Sequence, residues 1–224
     1  MKPLALIVMT LTLVHGQAPE SLKDAYRGRV RIGAALNPAQ FEERDQRGNP
    51  VITAHFNTIS PENALKWQSL HPRQDGYNFR RADEYVAVGE QHGMFVVGHA
   101  LVWHSQKPQW VFQNADGQPL TRDVLFEHMR DHILTVVGRY KGRIGGCDVV
   151  IAAPPWWRII GEDYIVRAFQ FALEADTKAE LYYNDYSLLN EAKRKGALEL
   201  IGKLRAAGAV THLTLAELKS ITAH

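Results

Sequence analysis

Short apolar runs of strand length alternate with longer stretches of helical periodicity along most of this chain, and the alternation dictates its architecture. The runs are VRIGAAL (30–36), HFNTIS (55–60), MFVVGHALVW (94–103), IGGCDVVIA (144–152) and AELYYND (179–185). Between them Val124, Phe126, Met129, Ile133, Val136 and Val137 recur at helical spacing, as do Tyr164, Ile165, Ala168, Phe169, Ala172 and Leu173. Leu198, Ile201 and Leu204 mark a further helix closed by Gly208. Strands joined by helix-length crossovers run parallel, so the spacing predicts an α/β protein with about five parallel strands. A closed barrel of this kind needs eight strands and typically about 250 residues, so an incomplete barrel is expected. The polar, Gly- and Pro-marked FEERDQRGNPV (41–51) reads as a surface loop.

The first residues, MKPLALIVMTLTLVHGQA, carry one lysine, an apolar run over 4–14 and small residues around Gly16 and Ala18. This predicts a secretory leader over 1–16, with Pro19 arguing against cleavage after Ala18, and one domain over 17–224. The run is too short to span a bilayer comfortably, so a secreted or periplasmic protein without a membrane partner is expected. Lys and Arg total 26 against 24 acids, with no basic stripe, which excludes a dedicated nucleic-acid binder. The single cysteine, Cys147, excludes an internal disulfide framework and sits in an apolar strand where packing is expected rather than reactivity.

Two strand-end segments gather polar and aromatic groups. FNTISPENALKW places Glu62, Asn63, Lys66 and Trp67 together. They read either as a hydroxyl-binding loop or as a helix N-terminus with Pro61 in its first turn, Glu62 on the dipole and Trp67 in the core. VVGHALVWHSQKPQW puts His99, Leu101 and Trp103 on one face by strand alternation, with Gln106 just beyond. An indole face stacks on the apolar side of a pyranose while histidine and glutamine serve its hydroxyl edge, so a neutral sugar suits this set. His99 and His104 share neither a strand face nor a helical face, which argues against a metal pair; His104 reads as a satisfied core side chain.

SPENALKW, GHALVWHSQ, VVGRYKGR, CDVV, WWRIIGEDYI and LYYNDY, in that order, resemble glycoside hydrolase family 10, whose typical members are retaining endo-1,4-β-xylanases. The resemblance covers roughly residues 25–208 and implies part of a TIM (β/α)8 barrel with a groove at the carboxyl ends of its strands. By resemblance, Glu62, Asn63, Lys66, His99, Trp103 and Gln106 match contacts to the glycone sugar, and Asn184 and Tyr186 match groove positions, although Asn184 with Asp185 reads equally as a strand-end hydrogen-bonding pair. The implied partner is β-1,4-xylan or xylo-oligosaccharides, with no metal or organic cofactor.

The resemblance also exposes a gap. Retaining glycosidases use two carboxyl groups about 5–5.5 Å apart, a general acid and a nucleophile. The family pattern Trp-Asp-Val-Val-Asn-Glu reads CDVVIA here, so Ile151 and Ala152 stand where an amide and the acid/base glutamate are expected. No Thr-Glu-Leu nucleophile strand is found. Glu217 falls in a helical pattern, while Glu162 and Asp163 read as a helix start. No catalytic residue is therefore assigned, and three outcomes stay open: an impaired family member, a xylan-binding pseudoenzyme, or a truncated or mis-joined product. Unpaired sheet edges would favour self-association.

Overall fold

Each of the five apolar runs forms a strand: β1 (Gly33–Leu36), β2 (Thr58–Pro61), β3 (Phe95–Val102), β4 (Gly146–Ile151) and β5 (Glu180–Asn184). They make one parallel sheet in the order β1-β2-β3-β4-β5. The structure, a computed structural model, describes residues 21–151, 154–185 and 188–209. The expected leader over 1–16, the helical pattern of Leu215, Leu218 and Ile221, and the positions Ala152 and Tyr186 lie outside the described residues. Among the described residues, no helix is long and apolar enough to cross a membrane.

Helices α1 (Leu22–Ala25), α2 (Pro38–Phe41), α3 (Gly48–His55), α4 (Trp67–Leu70), α5 (Arg80–Gln91), α6 (Arg122–Arg139), α7 (Pro154–Ile160), α8 (Tyr164–Ala175) and α9 (Glu191–Ala206) fill the connections. Helix α6 starts where the Thr121 side chain accepts from the Val124 N–H, and Asp123 and Arg139 suit the dipole at its two ends. Its buried face carries Leu125, Met129, His132, Ile133, Val136 and Val137. Leu125 takes the core position, leaving the expected Val124 and Phe126 only half-buried. Gly208 supplies the left-handed residue after α9 (φ 64°), as its position predicts.

The segment 41–51 departs from the expected loop. Its second half enters α3, because the Asp45 carboxylate accepts from the Gly48 N–H at 2.8 Å and Pro50 falls in a first turn where no amide is needed.

The inner face of the sheet is shaped by close approach. A Cβ on Gly145 would lie 2.2 Å from the Phe95 ring and one on Gly146 would lie 2.5 Å from the Tyr182 hydroxyl, so a larger residue at either position would displace the facing ring. Across the same face Arg31, just before β1, stacks 3.7 Å over Phe95 and pairs at 3.3 Å with Glu180 of β5. Cys147 is buried, and that burial pushes its thiol pKa up, which keeps it an inert packing group as expected.

Candidate functional site

Parallel strands send all their carboxyl ends to one side of the sheet, so the segments after β2 and β3 become neighbours. Lys66 Nζ donates to Gln106 Oε1 at 2.6 Å and to Asn63 Oδ1 at 3.0 Å, and Gln106 Nε2 donates to the same Asn63 oxygen at 2.9 Å. The ammonium also lies 5.0 Å from the Trp103 ring centre. Glu62 is exposed and its charge acts on Lys66, whose pKa is lowered first by desolvation and partly restored by that carboxylate. The backbone supports this arrangement: the Glu62 N–H donates to Leu36 O, and the Gln68 N–H to Gln106 O, both at 2.9 Å. Gln106 adopts a left-handed backbone (φ 45°), a strain of about 1–3 kcal/mol in a non-glycine residue.

His99 enters from the middle of β3, where Nδ1 lies 2.7 Å from Asp148 Oδ2 on β4. The two are register partners, His99 opposite Asp148 and Asp148 opposite Tyr182 of β5. Local sequence reading assigned Asp148 no role beyond its strand; the signal was its place opposite the histidine strand.

Several expectations are corrected. Helix α4 begins only at Trp67 and Pro61 closes β2, so Glu62 is not on a helix dipole, although Trp67 does enter the core. The alternation of His99, Leu101 and Trp103 fails because β3 shifts register between His99 and Val102, which sends Leu101 into the hydrophobic core. His104 is exposed instead of buried, its ring edge-on to Trp103. Asn184 ends β5 opposite Ile151, at the same end of the sheet but with β4 between it and the Lys66 cluster. Asp163 does precede α8, where it pairs with Arg122, and Glu162 pairs with Lys203. Among the described residues no cluster of histidine, cysteine and carboxylate groups could hold a metal ion.

The five strands, the polar cluster after β2 and the histidine on β3 all lie within residues 21–213, which match glycosyl hydrolase family 10. The chain belongs to this family. It is 42% identical over 214 residues to an endo-1,4-beta-xylanase A of Xylanibacter ruminicola, covering 92% of this chain and 58% of that relative. A beta-1,4-xylanase of Dictyoglomus thermophilum is 37% identical, with 93% and 61% covered. Among solved structures, a xylanase of Paenibacillus barcinonensis complexed with a conduramine derivative superposes with a TM-score of 0.80 at 38% identity, covering 88% of this chain and 61% of that one. A Glu-to-Ala mutant structure in complex with xylotriose gives 0.78 at 34% identity, with 84% and 60% covered. This family 10 chain thus spans about three fifths of the length of these relatives, and its five strands form part of the family's TIM barrel.

Proposed function

We propose that this family 10 chain holds the glycone end of β-1,4-xylan or xylo-oligosaccharides without cleaving them. The observation that carries the reading is the preformed Lys66–Asn63–Gln106 network beside Trp103, with His99 oriented by Asp148. Ammonium, amide and imidazole groups serve a row of sugar hydroxyls, and the indole face covers the apolar side of the ring. Glu62 adds an acceptor at the rim, and Asn184 stands at the same end of the sheet, at the close of β5.

Hydrolysis is a separate question. Ile151, at the end of β4, is buried and apolar, and Ala152 follows it where a proton donor is required. Loss of a positioned general acid typically removes a factor of about 100–10,000 in rate. A similar structure, a Glu-to-Ala mutant in complex with xylotriose, supports a xylo-oligosaccharide as the ligand. Hydrolysis stands as the second reading because the relatives are described as endo-1,4-beta-xylanases. The leader-like first 16 residues support action outside the cytoplasm, where polymeric xylan is met.

Calorimetric titration with xylohexaose and reducing-sugar release from xylan test both readings. Binding heat without sugar release is expected. Release that survives purification and disappears on Glu62→Ala or His99→Ala would establish hydrolysis instead. Absence of heat from chain shown folded by circular dichroism would remove the binding reading.

A further inference from the structure

Beneath the sugar-holding loop lies a stack of buried rings, several of whose polar edges have no hydrogen-bond partner among the described residues. Trp67 follows Lys66 directly, and the imidazole of His132 on α6 lies face to face with it at 4.0 Å and 5°. Trp156 and Trp110 pack on the same indole at 5.7 and 6.2 Å. His71, just past α4, stacks on Tyr77 at 3.7 Å and lies 6.0 Å from His132 with the planes 6° apart. His132 is fully buried (0% exposed), and neither of its ring nitrogens has a hydrogen-bond partner among the described residues. The same holds for Nδ1 of His71 and Nε1 of Trp67 and Trp110.

The titratable groups facing this stack give a charged His132 no counter-ion. After α4 stands His71, whose Nε2 faces only the Gln74 carbonyl at 3.3 Å. Tyr77 donates its hydroxyl to Asp131 of α6 at 3.0 Å, and His128 of α6 packs its ring edge-on to Trp110 at 5.1 Å. Helix α7 contributes only the neutral Trp156. Farther along α6, Arg139 is taken up by Asp83 of α5. An imidazolium here would lose its hydration and gain only the attraction of the Trp67 ring face, which is smaller than the cost of burying an unpaired charge.

We propose that His132 is a positioning residue: its neutral ring, stacked on Trp67, holds the loop bearing Asn63 and Lys66, and protonation frees Trp67 and disperses the sugar-holding network. This rests on the binding function proposed above. Burial drives the His132 pKa well below its ordinary value, and His71 adds to the effect; burial lowers His71 as well. Above about pH 6.5 the closed and released forms are both neutral, so the closed form keeps its full advantage. Below that, the released form takes a proton that the closed form refuses, and the ratio of released to closed rises about tenfold per pH unit.

The test follows tryptophan emission and xylohexaose affinity of the full chain from about pH 7.5 to about pH 5, a range above most carboxylate titration. The native chain is expected to lose affinity about tenfold and to shift its emission to the red in the same pH range. His132→Phe keeps an aromatic ring on Trp67 but cannot take a proton, so it is expected to lose both pH dependences. An equal acid loss in His132→Phe, which retains His99 and His71, overturns the proposal. If that variant fails to fold, NMR titration of the native imidazoles decides. A His132 resonance that holds its neutral position until the emission shift supports the proposal; independent titration near about pH 6.5 with the loop closed overturns it. If xylohexaose gives no heat at neutral pH, the binding function falls, and the emission and NMR measurements still decide the role of His132.

Discussion

His99 Nδ1 lies 2.7 Å from Asp148 Oδ2, a bond between two register partners on adjacent strands that fixes the imidazole ring in mid-strand. Both side chains are largely shielded from solvent, 23% and 16% exposed, so the bond constrains the ring more firmly than a surface pair would. Asp148→Ala is therefore expected to weaken xylohexaose binding about tenfold through loss of orientation, the size of one good hydrogen bond to a charged group. Calorimetry on the variant checks this; unchanged affinity would show that the aspartate has no part in sugar recognition.

Lys66 is the hub of the second half of the site, donating to both Asn63 and Gln106. Lys66→Met keeps the aliphatic stem against Trp103 and removes both bonds. The partners are exposed, so water replaces the lost donor and stability should change by less than about 1 kcal/mol. Xylohexaose affinity should fall about tenfold or more while the melting temperature stays within a few degrees. A large fall in melting temperature with affinity preserved would make the network structural.

Acid denaturation has a component separate from His132. Arg139 and the Tyr140 hydroxyl both bond Asp83, and the Arg139 bond leads in holding its carboxyl below the ordinary carboxylate value. A lowered pKa stabilises the fold above the unfolded value of about 3.9, and that gain is lost as pH falls toward the native value. The pair is more than one-third exposed, 43% and 38%, so solvent screening limits it to less than about 1 kcal/mol. Asp83→Asn should lower the melting temperature slightly at neutral pH, and the difference should shrink as pH falls below the unfolded carboxylate value toward the lower native one, as thermal melts across pH would show. An effect confined to the range near pH 6 would assign the change elsewhere.

Strands β1 and β5 each pair on one side only among the described residues. Open parallel edges bear unsatisfied amides and carbonyls and invite pairing with another chain. The 224-residue polypeptide is expected to associate with itself as concentration rises, observable by size-exclusion chromatography with light scattering. A monodisperse monomer with a sharp cooperative melt would contradict this.

Fold class was readable from local pattern because strand and helix periodicities are short-range, and each of the five apolar runs became a strand in one parallel sheet. The proximity of Asn63 and Lys66 was likewise legible within one segment, whereas Gln106 was joined to them only by the family resemblance, its contact with them arising from the adjacency of β2 and β3. The start of α4 was not: Pro61 and Glu62 suit a helix start locally, but pairing of Leu36 with Pro61 keeps the chain extended. Contacts made by register and curvature were hidden as well. Asp148 meets His99 across 49 residues of sequence, and Arg31 meets Glu180 across 149. Which polar side chain finds a partner, and which, like His132, is sealed among rings with none among the described residues, depends on packing between distant segments. Sequence periodicity specifies how each segment faces the core, whereas such pairings exist only once strand register and helix packing have set the distances.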